Sequence, residues 1–130
     1  MSYPANLKYT KEHEWFLSKD SSSALIGVTS YAVEQLGDIV HVELPKVGEE
    51  FGAGDPFGTI ESTKTVSDLY IPVAGKVLEV NTDIKNMLDE LVNDPYSKGW
   101  LVKVSVKNPA EVNGLMSAAQ YESFISEQGG

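Results

Sequence analysis

Apolar and polar residues alternate in short runs along most of this chain, and turn-forming residues break the runs. Glu14-Trp15-Phe16-Leu17 and Ala24-Leu25-Ile26-Gly27-Val28 flank Ser18-Lys19-Asp20-Ser21-Ser22-Ser23. That pattern predicts a hairpin with a loose loop. Ser30 to Leu36 predicts a short helix, stopped by Gly37. From Asp38 to Leu44 the alternation puts Val40, Val42 and Leu44 on one face of a strand. Strand-like residues at 57–60 and 69–73 then flank a polar run, Glu61-Ser62-Thr63-Lys64-Thr65-Val66-Ser67-Asp68. Asn93-Asp94-Pro95-Tyr96-Ser97-Lys98-Gly99 is a turn cluster. After it, Trp100, Val102, Val104 and Val106 alternate with Leu101, Lys103, Ser105 and Lys107, a half-buried strand.

The end of the chain switches to helical signals. Asn108-Pro109-Ala110-Glu111 offers an N-cap, a proline in the first turn and a glutamate three residues on. Ser117-Ala118-Ala119-Gln120 repeats the capping box ahead of residues 121–125. Gln128-Gly129-Gly130 is expected to fray. The sum is a mostly β fold with flanking helices. The 130 residues suit one domain, 1–130, and no linker divides them.

A faint internal echo aligns Gly37-Asp38-Ile39-Val40-His41-Val42 with Gly75-Lys76-Val77-Leu78-Glu79-Val80. Apolar residues fall three and five places after each glycine, and the copies bracket Lys64. Two readings stand level: two similar halves of a β structure with the lysine turn at one end, or two amphipathic strands that look alike.

Composition narrows the chemistry. There are no cysteines, which removes disulfides, protein thiol nucleophiles and cysteine-held metals. The net charge is −9, and all ten cations are lysines. An acidic chain without arginine is a poor partner for nucleic acid or an anionic membrane. No apolar run reaches the roughly 20 residues of a membrane span. The first six residues carry neither a basic nor an apolar leader pattern, so a bacterial cytoplasmic protein is expected, or a trimmed mature form of a mitochondrial one.

Catalytic constellations are not apparent. His13-Glu14 starts like a zinc-protease helix, but Leu17 stands where the second histidine would be needed. His41 falls on the outward face of its strand. Gly52, Gly54 and Gly58 match neither a dinucleotide fingerprint nor a P-loop. Glu12, Glu14, Glu61 and Asp68 could accept hydrogen bonds from a cationic group, or could be solvated strand-edge charges. Lys64 is a solvated turn lysine on one reading. On the other it is an exposed amine on a rigid support, as an acylating enzyme would need.

The residues around Lys64 resemble the H protein family of the glycine cleavage system. That family carries lipoate on the lysine of a Glu-Ser-x-Lys motif followed by Ser-Asp and Pro-x-x-Gly. Here these are Glu61-Ser62-Thr63-Lys64, Ser67-Asp68 and Pro72-Val73-Ala74-Gly75. The similarity continues through Tyr9-Thr10-Lys11-Glu12-His13-Glu14-Trp15, Leu36-Gly37-Asp38-Ile39-Val40, Val42-Glu43-Leu44-Pro45, Asn93-Asp94-Pro95-Tyr96 and Gly99-Trp100-Leu101. Thr63 and Thr65 replace the usual Val and Ala, and 88–91 lacks a frequent proline.

The resemblance implies a lipoyl-type hybrid barrel-sandwich with added helices, and a carrier that is not itself an enzyme. It implies lipoate on Lys64, with Glu61, Ser62, Thr63 and Thr65 forming the attachment turn. It implies passage of an aminomethyl group from glycine decarboxylase to a tetrahydrofolate-dependent aminomethyltransferase, then reoxidation of the dithiol by dihydrolipoamide dehydrogenase. A lipoate-attaching enzyme is a further partner, and a monomer is expected. Glu14 and Asp68, and more weakly Glu12, are the matches for a cleft that holds the loaded arm. A lipoyl domain of a 2-oxoacid dehydrogenase is argued against by the Trp15 segment and the C-terminal helices. A biotin carrier is argued against by Thr63 and Thr65, where that family has methionines. An unmodified acidic binding module is the remaining alternative.

Overall fold

The structure is a computed structural model that describes residues 3–20 and 22–127; the expected fraying of Gln128-Gly129-Gly130 lies outside the described residues. Among the described residues, nine strands form two antiparallel sheets. The larger runs β1 (Lys8–Tyr9), β2 (Glu14–Asp20), β3 (Ser23–Val28), β9 (Val102–Ser105), β8 (Gly75–Val80), β5 (Glu50–Phe51) in spatial order. The smaller runs β4 (Ile39–Glu43), β6 (Pro56–Ser62), β7 (Val66–Tyr70).

Each sheet turns an apolar face to the other. Phe16, Ala24, Ile26, Val77, Val102 and Val104 of the larger sheet meet Val42, Phe57, Ile60 and Leu69 of the smaller in one buried cluster. Removing this apolar area from water is the main force holding the layers together, at about 25 cal/mol per Å². β2 is buried on both faces: Phe16 enters that core, while Trp15 joins a second cluster with Leu7, Tyr9, Tyr121 and Ile125. That cluster lies under α3 (Ala118–Glu127), and the Trp15 indole donates to Pro95 O at 2.9 Å. A β-carbon on Gly27 would lie 2.5 Å from the Trp15 ring, so only glycine fits beside it.

The helix at Ser30–Leu36 (α1) forms as expected, capped by Thr29 through the Ala32 N–H. Gly37 ends it at φ 87°, a left-handed angle that side-chain-bearing residues avoid. The box at Ser117 also forms: Gln120 N–H donates to Ser117 Oγ, and Ser117 N–H donates to Gln120 Oε1.

Several expectations are corrected. The loop at 18–23 is tight, because pairing runs on to Asp20 and Ser23 with a bulge after Ser18. Asp20 Oδ1 then takes hydrogen bonds from the Ser22 amide and hydroxyl. Asn108 does cap through the Ala110 N–H, but Pro109–Gly114 is a 3-10 turn. No residue of it is buried, and Glu111 gives its carboxylate to the Ala74 N–H instead of closing a capping box. Leu101, placed on the polar side of its strand, is fully buried. A 3-10 turn at Thr82–Asn86 and a single helical turn α2 at Glu90–Asn93 were not anticipated.

Val40 does not share a face with Val42. The register of β4 shifts between Ile39 and His41, so Val40 is 48% exposed while Val42 is buried. β8 shifts at the matching place, between Val77 and Glu79, leaving Leu78 40% exposed. Both copies of the internal echo therefore carry a bulge three residues after their glycine, one in each sheet. This correspondence supports the reading of two similar halves.

Candidate functional site

Lys64 stands at the tip of the β6–β7 hairpin. The strands approach it more closely than the sequence suggests, leaving only Thr63, Lys64 and Thr65 between Ser62 and Val66. Ser62 explains why so short a turn closes. Its side chain is 4% exposed, and its hydroxyl oxygen accepts from the Lys64 and Thr65 amides, each at 3.2 Å. The Ser62 amide donates to Thr65 O at 2.8 Å. The Thr63 amide donates to Asp38 O at 3.0 Å and ties the turn to the loop after α1. Such a serine, hydrogen-bonded to backbone two and three residues on, is a common device for fixing tight turns.

The lysine side chain is exposed and belongs to neither ion pair of the described residues, which are His41–Glu43 and Lys103–Glu79. Its stem lies over Gly37: a β-carbon there would sit 3.2 Å from Lys64 Cε and 3.8 Å from Nζ. Gly37 thus has a role at the site besides ending α1. The sequence marked it as a helix stop, as the first residue of the internal echo and within a family-like segment, but not as a neighbour of Lys64.

Leu36, the residue before Gly37, lines a cavity of about 140 Å³. Val28, Ala32, Ile60 and Leu69 give it apolar walls, and Glu12, His13, Glu14, Ser67 and Asp68 bring polar groups to it. Ile60 pairs with Ser67 one rung beyond the Glu61–Val66 pair, so the cavity begins close below the lysine turn. Residues 12–14, Val28 at the end of β3, α1 and the β6–β7 ladder enclose it.

The predicted carboxylates separate here. Glu61 stays half-buried on β6, paired with His41 and Val66, and does not line the cavity. Thr63 and Thr65 are exposed at the turn. Glu12 and Asp68 are exposed cavity-lining residues, and the Tyr70 hydroxyl lies 3.5 Å from Asp68 Oδ2. Glu14 is different. It is 2% exposed, so it is no solvated strand-edge charge. Its Oε1 accepts from the Thr10 hydroxyl at 2.6 Å, and Oε2 accepts from the Tyr70 amide at 3.2 Å. Burial pushes its carboxyl up to about 8, against the opposing pull of those hydrogen bonds and with repulsion from Glu12 adding to the rise.

A tight turn presents Glu14. The Thr10 amide donates to Glu14 O, the His13 amide donates to Thr10 O, and the Glu14 amide donates to Thr10 Oγ1. His13 takes φ 71° there, in the left-handed region. Its Nδ1 lies 2.8 Å from the Tyr121 hydroxyl, which lies 2.7 Å from Thr29 Oγ1. Burial holds His13 below its ordinary value. Thr10, Ser67 and Tyr70 complete the site; Thr10 and Ser67 fell within family-like segments, but none of the three was given a site role from the sequence. For Tyr70 no side-chain signal exists, because its backbone makes the contact with Glu14.

Comparison with known proteins points to one family. The family model described as glycine cleavage H-protein matches residues 7–128. A glycine cleavage system H protein of Symbiobacterium thermophilum is 48% identical over 124 residues, covering 95% of this chain and 96% of the relative. One from Koribacter versatilis is 49% identical over 130 residues, covering 100% and 99%. The crystal structure of an H protein from Mycobacterium marinum superimposes with a TM-score of 0.81 at 38% identity, covering 98% of this chain and 99% of that one. The mostly β architecture with a C-terminal helix is therefore the lipoyl-type barrel-sandwich of that neighbour, and the chain belongs to the glycine cleavage H-protein family of lipoyl carriers.

Proposed function

We propose that this chain carries lipoate on Lys64 and shuttles an aminomethyl group between the enzymes of glycine cleavage. The observation that carries the reading is the lysine itself: an unpaired, exposed amine on a turn fixed by a buried serine, next to an apolar cleft with a carboxyl at its wall. The site fits the group. The amine is free for acylation, and Val28, Ala32, Leu36, Ile60 and Leu69 offer an aliphatic lining of the kind a hydrocarbon arm prefers over water.

Lipoate supplies the reversible dithiol chemistry; decarboxylation and one-carbon transfer belong to partner enzymes and their cofactors. The chain's own task is to present and shelter. The turn holds the attachment point at a fixed place, which raises the effective concentration of the tethered group at a docked partner. The cleft offers Glu14 and Asp68, and Glu12 at its edge, to a cationic cargo. Glycine decarboxylase, aminomethyltransferase, dihydrolipoamide dehydrogenase and a lipoate-attaching enzyme are the partners of this reading, with the chain acting without catalysing. It treats residues 1–130 as one carrier domain, expected to be monomeric and cytoplasmic in a bacterium, or in the mitochondrial matrix if trimmed.

Intact-mass measurement before and after incubation with a lipoate-attaching enzyme tests it. One lipoyl mass should appear, mapped to Lys64, and Lys64→Arg should gain none. Modification at another lysine, or none with an active enzyme, would overturn the assignment.

A further inference from the structure

We propose that a cationic group entering the cleft displaces the proton of Glu14, so that one proton leaves to solvent for each cation seated. This rests on the docking reading above and adds to it a specific exchange at a specific atom pair.

The geometry sets up the exchange. Glu14 is nearly devoid of solvent contact, and its two oxygens are met by one hydroxyl and one amide, neither of which carries a formal charge. The ion pairs of the described residues leave it without a cation. The charged and titratable groups around it do not change that balance. From its own turn come Glu12, which repels, and His13, which is engaged with Tyr121 and whose charged form burial disfavours. Lys11 lines a second cavity that Glu12 and Glu14 also border, but it is exposed and belongs to neither ion pair of the described residues. From β7 come Asp68 and the Tyr70 hydroxyl, the former exposed. From α1 comes Gln35, which is uncharged. An ionised carboxylate here would be stranded in low dielectric, so the empty cleft favours the protonated acid. The upward displacement of its titration by burial agrees.

A cation at the wall reverses the preference, because an opposite charge within a few ångströms favours the ionised form. The proton passes to water, the carboxylate and cation pair, and the net charge enclosed by the cleft is unchanged. Glu12 and Asp68, already in contact with water, gain less from the same pairing. A linked consequence follows for retention. Between the Glu14 midpoints of the loaded and the empty cleft, seating of a cation should strengthen about tenfold per pH unit.

The test uses lipoylated protein whose arm is reduced and capped on sulfur. Each thiolate displaces bromide from 2-bromoethylamine, giving a stable cationic aminoethyl arm, or from bromoethane, giving a neutral ethyl arm. Carbon-13 NMR of glutamate δ-carboxyls, with Glu14→Gln to assign the signal, reads the Glu14 titration in each form. The midpoint should stay near about 8 with the ethyl arm, and fall by about one to three pH units with the aminoethyl arm. An unmoved midpoint with the cationic arm, or an equal fall with the neutral one, overturns the exchange. The amide signals of Ile60, Ser67 and Leu69 report separately on entry. If they move while Glu14 does not, the exchange alone fails. If they stay unperturbed, the docking reading fails and takes the exchange with it.

Discussion

Glu14→Gln exchanges one oxygen for an amide nitrogen and leaves the volume of the side chain almost unchanged. Its effect on stability should reverse sign with pH. In the folded chain burial lifts the Glu14 carboxyl from 4.5 to about 8. Between those values the folded state binds a proton that the unfolded chain has lost, so stability falls as pH rises. The contribution of the neutral acid is whole below 4.5 and is lost progressively up to about 8. A single group tilts the curve by about 1.4 kcal/mol per pH unit, so the window holds a few kcal/mol. That is a large share of the roughly 5–15 kcal/mol that a domain of this kind has in total. The glutamine does not titrate. Its cost is one spoiled hydrogen bond, because an amide oxygen turned to Thr10 leaves its NH₂ facing the Tyr70 N–H. That loss is worth about 1 kcal/mol. Wild type should therefore be the more stable at pH 4.5 and the variant the more stable by pH 8, with the curves crossing roughly one pH unit above the lower end. Urea unfolding of both proteins across this range measures it, and subtraction removes every titrating group the two share. A constant difference would refute the reasoning, since Glu14 would then be ionised in the folded cleft and balanced by some other group.

Two further outcomes follow from the site. Ser62→Ala leaves the Lys64 and Thr65 amides without their acceptor and should cost about 1–3 kcal/mol in urea unfolding, while slowing acylation of Lys64 followed by mass. In protein loaded with the aminomethyl group, Glu14→Ala should hasten spontaneous loss of that group about tenfold or more, the worth of one charge-assisted hydrogen bond, and Asp68→Ala should hasten it less, because that carboxylate is already solvated. Decay rates equal to wild type would remove the carboxylates from the docking role.

Much of the fold was legible because it rests on local rules. The helix between Thr29 and Gly37 and the capping box at Ser117 and Gln120 need only a few neighbouring residues, and both formed. Lys64 was legible for the same reason, as a polar tip between apolar runs. Features set by distant partners were not. The bulge at Val40 comes from pairing with β6, and strict alternation cannot register an unpaired residue. Glu111 was expected to close a helix cap, yet the Ala74 amide, 37 residues away in sequence, claims it. Glu14 was visible as an acid and as a match to the family. Its burial was not, because that depends on the Tyr70 amide and on cavity walls from separate parts of the chain.

A residue with no side chain beneath the lysine stem amounts to a clearance. With the backbone on either side pinned by Ser62 and by Asp38, the proposed function makes the turn a bearing and the four methylenes of Lys64 its axle. All the travel the carrier needs can then come from rotation about side-chain bonds, on picosecond-to-nanosecond timescales, with no hinge in the protein. Such a machine delivers at a pace set by docking and by its partners' chemistry, and a bulkier residue at position 37 would act as a brake.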